Sequence, residues 1–167
     1  MEPISSEVVE KTWQRIGVMD PQLAHELIGD LENTQPVIME YLMAGSEELF
    51  NQAERELVIY LGIVIWQIMK DGFPPPPQVL FEDIEKAEAA NLKMLEYLGS
   101  STPGDFSRTV ETVVVNYSQP QILRYVVEAL FEFEEDEDVA GSDTKIRDDM
   151  KGIIFIVLKT IIDCLDR

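Results

Sequence analysis

The chain has 167 residues, of which 32 are acidic and 13 basic, giving a formal charge of −19 at pH 7 with 46% apolar residues. That length suits one ordinary domain that buries a core without metal or disulfide staples, and the apolar fraction excludes a disordered polyelectrolyte. The charge repels phosphate backbones and so argues against direct nucleic-acid binding, while the same field draws in a basic protein partner.

The opening stretch Met1-Glu2-Pro3-Ile4-Ser5-Ser6-Glu7 has neither the basic start nor the apolar run of a secretion signal, so a cytoplasmic location is expected. Ser5 or Ser6 caps a first helix whose apolar face is Val8, Val9, Thr12, Trp13 and Ile16, ended by Gly17. Asp20-Pro21 supplies a cap and then a proline at the first helical position, where its missing N–H is harmless. Leu23, Leu27, Ile28 and Leu31 form the face of that second helix. Gln35-Pro36 opens a third, with Val37, Ile38, Tyr41 and Leu42 on one side and Gly45 at its end.

A long fourth helix is expected to start at Ser46-Glu47-Glu48, with Leu49, Phe50, Ala53 and Leu57 on its first apolar face. From Val58 to Met69 it becomes apolar almost all round, which in a water-soluble fold marks a central, buried helix. Gly72 stops it. The apolar stretch Leu57–Met69 falls short of the roughly 20 residues of a membrane span, so no membrane attachment is expected. The prolines of Phe73-Pro74-Pro75-Pro76-Pro77 favour a stiff extended linker over 73–78 rather than an SH3-type ligand.

The second half begins with a helix from about Phe81 to Leu98, with Ile84, Ala87, Asn91, Met94, Leu95 and Leu98 sharing a face. Thr102-Pro103-Gly104-Asp105 reads as a turn, followed by a helix from Phe106 to Tyr117. Its β-branched run Val110–Val115 suits a strand on propensity, yet Val110, Val113, Val114 and Tyr117 keep helical spacing. Ser118-Gln119-Pro120 opens the next helix, faced by Ile122, Leu123, Val126, Val127, Leu130 and Phe131. An acidic connection from Glu132 to Asp143 leads to the last helix, capped by Ser142 or Asp143. There Ile146, Met150, Ile153, Ile154, Val157, Leu158, Ile161, Ile162 and Leu165 recur at three- and four-residue steps, with Phe155 and Ile156 on the other side. Cys164, the single cysteine, excludes an internal disulfide and reads as a small buried hydrophobe.

The fold class expected is therefore all-α, a bundle of about eight helices forming one domain over 1–167. Its halves echo each other. Lys11–Gly17 parallels Lys93–Gly99, Gln35–Leu42 parallels Gln119–Val126, and Leu61–Ile65 parallels Lys151–Phe155, at offsets of 82, 84 and 90. Pseudo-repeats of about 5–72 and 80–166 follow, each a four-helix unit, joined by the proline linker.

Catalytic motifs are scarce. His25 is the only histidine, which excludes two-histidine zinc motifs and Glu-x-x-His iron pairs. Glu7-x-x-Glu10, Glu82-x-x-Glu85-x-x-Glu88 and Asp163-x-x-Asp166 each line one helical face. None reproduces the Glu-Glu-x-x-Glu and Glu-x-x-Asp order of all-helical nucleotide pyrophosphatases. The run Asp136–Arg147 starts Asp-x-Asp and has glycine at its sixth position like a calcium loop, but Ala140 and Arg147 occupy ligand positions. No catalytic residue, cofactor or metal site is assigned. The expected function is a non-enzymatic interaction protein (adaptor, regulator or small chaperone) that meets a protein partner through the acidic run Glu132, Glu134, Glu135, Asp136, Glu137 and Asp138. The alternative is a metal-dependent hydrolase of a phosphorylated small molecule using Glu82, Glu85 and Glu88. Homodimerisation through an apolar helix is the other association the sequence allows.

Overall fold

The computed structural model describes residues 1–18, 20–44, 46–99, 103–132 and 145–166. The fold is an all-α bundle. The described helices are α1 (Ser6–Gly17), α2 (Pro21–Thr34), α3 (Pro36–Ala44), the single turn α4 (Ser46–Leu49), α5 (Gln52–Gly72), α6 (Phe81–Gly99), α7 (Pro103–Val115), α8 (Pro120–Glu132) and α9 (Asp148–Leu165). Among the described residues there is no strand, and no helix is long and apolar enough to cross a membrane.

Two helices make the centre. In α5 every residue from Leu61 to Met69 is buried, and in α9 Ile154, Leu158, Ile161, Ile162 and Leu165 are sealed from water. These helices pack on each other, and the remaining helices surround them. Helix α1 lies along α5 as α6 lies along α9; α3 leans on α5 as α8 leans on α9; α2 pairs with α3 as α7 pairs with α8. Burying each large aliphatic side chain contributes roughly 1.5–3 kcal/mol, so this paired layer supplies most of the driving force. Gly62 lets α3 approach α5 closely, because a Cβ there would sit 2.6 Å from Leu42 Cδ1.

Local signals set several boundaries. Ser5 accepts a hydrogen bond from Val8 N–H and Asp20 one from Leu23 N–H, capping α1 and α2. The β-branched run of α7 is helical from Pro103, so Pro103 starts a helix where a turn was expected. Trp13 and Leu23, expected on core faces, are 38% and 36% exposed, at the edges of their helices.

The long fourth helix is broken. One turn ends at Leu49, and α5 restarts at Gln52 because Asn51 and Glu54 form a reciprocal capping box. Asn51 Oδ1 accepts from Glu54 N–H at 2.9 Å, and Asn51 N–H donates to Glu54 Oε1 at 3.3 Å. The last helix starts later than expected, at Asp148, with Arg147 at its cap making no side-chain cap bond. Arg147 is committed elsewhere: its Nε donates to Glu54 Oε1 at 2.7 Å and its Nη2 to the Leu49 carbonyl at 2.7 Å. Ile146 is therefore buried ahead of the helix rather than within it. The expected caps Ser142 and Asp143 lie outside the described residues.

Candidate functional site

Polar side chains gather at a few places inside the bundle. The largest group lies where α6, α9 and the end of α7 meet. Asn91 is buried; its Nδ2 donates to Asp163 Oδ2 at 2.9 Å and to Thr160 Oγ1 at 3.1 Å. The buried ammonium of Lys159 donates to Asn91 Oδ1 at 2.9 Å and to Asp163 Oδ2 at 2.8 Å. It also sits 4.7 Å from the centre of the Tyr117 ring, whose hydroxyl donates to Asp163 Oδ1. Burial pushes the Tyr117 phenol up, and the charge and hydrogen bond of Asp163 push it further. Tyr41, which donates to Glu88 Oε1, is likewise raised, first by burial and then by the Glu88 charge. Cys164 is buried beside these tyrosines.

A second group joins α2 to α5. Asp30 Oδ2 accepts from Trp66 Nε1 at 3.0 Å and from Lys70 Nζ at 2.7 Å. Burial raises the Asp30 pKa, but the Lys70 and Trp66 hydrogen bonds and the Lys70 charge outweigh it, and the net direction is down. The buried amide of Gln67 adds to the lowering, although its Nε2 completes no hydrogen bond of normal geometry.

Two buried glutamines perform the same task at opposite places. Gln35, just before α3, accepts from Val79 N–H at 2.9 Å and donates to the Pro77 carbonyl at 3.1 Å. It thereby fixes the proline segment as it leads into α6, with Pro76 buried. Gln119, just before α8, accepts from Ile4 N–H at 2.9 Å and donates to the Glu2 carbonyl at 3.1 Å and to Asp166 Oδ1 at 2.8 Å. It fixes the segment leading into α1. In the Asn91 cluster and both clamps the polar atoms are spent on one another, as buried polar groups require, and in the Asp30 cluster the Gln67 amide nitrogen is the exception. These groups hold helices together.

The outer surface offers a different feature. Between α7 and α8 runs a cleft of about 460 Å³ lined by Val110, Val114, Val115 and Val127, with Glu111, Arg124 and Glu128 at its edges. Val115 is 69% exposed, a large uncovered aliphatic surface for a valine. Arg124 and Glu128, one turn apart on α8, also line a second hollow of about 290 Å³ toward α1, with Glu10, Trp13 and Tyr125. There the Trp13 and Tyr125 rings stack at 6.2 Å between centroids and 18° between planes. The two hollows adjoin at Arg124 and Glu128, which line both, and together they make the α7–α8–α1 trough, one part against α7 and the other against α1. Sequence reasoning missed it, having placed Trp13 in the core; the signal available was an aromatic at the border of a helical face.

Of the acidic run, Glu132 closes α8 and the rest, Glu134, Glu135, Asp136, Glu137 and Asp138, lies outside the described residues. The calcium-like run lies there too, apart from its end, where Arg147 is paired with Glu54. Glu82 and Glu85 are exposed on α6, and Glu88 receives the Tyr41 hydroxyl. Among the described residues no three His, Cys, Asp or Glu side chains converge as a metal group. His25 is exposed on α2. No protein-family model matches the chain, and neither the curated proteins nor the solved structures compared with it yielded a match.

Proposed function

We propose that this chain is a non-enzymatic interaction protein that receives a basic protein partner on an acidic surface centred on the α7–α8–α1 trough. The observation that carries the reading is the combination of a valine-lined cleft, in which Val115 is uncovered, with exposed carboxylates at Glu10, Glu111 and Glu128. The chain-wide charge of −19 supports it, because a field of that size speeds encounter with cations and rejects anions. The acidic run that starts at the end of α8, from Glu132 to Asp138, extends the same charge in sequence. The hydrogen bonds of the two polar clusters connect helix to helix, which supports a stabilising role for them.

The reading also takes the chain as two copies of one unit. The support is that Gln35 and Gln119, equivalent in the echo, each fasten the lead-in segment of the opposite half through the same pair of backbone hydrogen bonds.

Binding of a lysine-rich and a glutamate-rich peptide, measured across ionic strength, tests the function. The lysine peptide is expected to bind at low salt and to weaken progressively as screening grows. Equal binding of both peptides, or binding indifferent to salt, refutes it.

A further inference from the structure

We infer that the trough seats an amphipathic segment of the partner, with its apolar side chains against the α7–α8 valines and a lysine or arginine over the Trp13–Tyr125 stack. The inference rests on the function just proposed and specifies how the partner is held. Three observations carry it. The valine part of the trough, at about 460 Å³, falls within the roughly 300–1,000 Å³ of ligand-receiving hollows, and Val110, Val114 and Val127 give it an apolar floor. The neighbouring hollow joins an aromatic face to carboxylates, the pairing that attracts a side-chain cation through ring quadrupole and charge together. Arg124 and Glu128 line both hollows, so the two adjoin on α8 and lie within reach of one ligand segment.

Charge selects the occupant. Glu10, Glu111 and Glu128 line the trough, and among the described residues Arg124 pairs with no carboxylate and is the single cation lining it. A second copy of the chain brings a further −19 to that rim, so self-association through the trough is opposed by like charge. A segment carrying lysine or arginine beside apolar residues meets both requirements.

The test uses the whole chain and an 18-residue peptide of leucine and lysine in amphipathic helical order, with its glutamate-for-lysine counterpart. Of the two tryptophans, Trp66 is 1% exposed and Trp13 38%, so a change in emission on binding reports the trough and vanishes in Trp13→Phe. The leucine–lysine peptide is expected to shift that emission saturably. Glu128→Gln weakens it about threefold, as loss of one exposed charge pair allows, while Arg124→Gln tightens it by a similar factor. Val115→Asn, at an exposed site that leaves the fold intact, weakens it several-fold. Binding with silent Trp13 and no response to these variants overturns the trough while leaving the acidic-surface function standing. Failure of the lysine peptide to bind, or equal binding of the glutamate peptide, overturns both. A concentration-dependent dimer that shifts Trp13 and is abolished by Val115→Asn overturns the inference in favour of a second copy.

Discussion

Arg147→Ala isolates the physics of the junction between α5 and the segment before α9. Glu54 is fully buried, yet its partner Arg147 is 44% exposed, so the pair sits on a boundary between interior and water. Removing Arg147 leaves a carboxylate sealed at the first turn of α5 with, among the described residues, the Asn51 N–H and the helix N-terminus to stabilise it. Breaking a buried pair costs about 3–5 kcal/mol, and entry of water where the guanidinium stood reduces that to about 2–3 kcal/mol. For a chain of this size that corresponds to a fall in melting temperature of roughly 4–12 °C. Glu54→Gln keeps a cap acceptor at the same place and leaves Arg147 free to hydrate, so it costs only about 1 kcal/mol. Urea unfolding of the wild type, both single variants and the double variant gives the coupling directly. The double variant is expected to be at least 1 kcal/mol more stable than the sum of the singles predicts. If Arg147→Ala lies within 0.5 kcal/mol of wild type, or if the two changes simply add, the ion pair does not hold this junction.

Other perturbations separate tight from loose sites. Gly62→Ala forces Leu42 aside and is expected to cost about 1–2 kcal/mol, whereas Gly29→Ala, which meets nothing within 4 Å, gains about 0.5–1 kcal/mol of helix propensity; thermal melts of both check the contrast. Gln119→Ala strands the Ile4 N–H and the Glu2 carbonyl, and Gln35→Ala strands the Val79 N–H and the Pro77 carbonyl. Each is expected to lower stability by about 2 kcal/mol in urea, and a negligible effect of either removes the equivalence of the two clamps. Tyr41 and Tyr117 have raised pKa values, so the folded chain keeps protons that the unfolded chain releases near pH 10, and stability falls as pH rises above that value. The part of the phenolate absorbance that is lost on Tyr41→Phe and Tyr117→Phe should appear only as the helices melt by circular dichroism; if that part appears near pH 10 with helicity intact, it contradicts their burial.

The helical layer was legible because burial writes itself as periodicity. Val58–Met69 and Ile153–Ile162 are apolar on nearly every side, and no arrangement except the centre of the bundle satisfies them. Boundaries were legible where a cap speaks alone, as at Ser5 and Asp20. They were misread where local signals competed. Ser46-Glu47-Glu48 reads as a helix start, and so does Asn51-x-x-Glu54; only the second also gains Arg147, which no local pattern ties to residue 54. The same long-range bond withdraws Arg147 and Ile146 from the last helix. The polar network around Asp163 was half visible, since Asn91 stood on an apolar face, but its links to Lys159 and Tyr117 depend on which helices meet. The trough was invisible for the same reason: α7, α8 and α1 contribute to it, and adjacency of α1 and α8 follows from tertiary packing alone.

Hydrogen exchange of the whole chain, with and without the leucine–lysine peptide, tests the central division between inward clusters that hold the fold and an outward trough that meets a partner. The peptide is expected to slow exchange along α7, α8 and the first helix while leaving α6 and α9 around Asn91 and Lys159 unchanged. Protection confined to the Asn91–Lys159–Asp163 network, with the trough unaffected, contradicts the account.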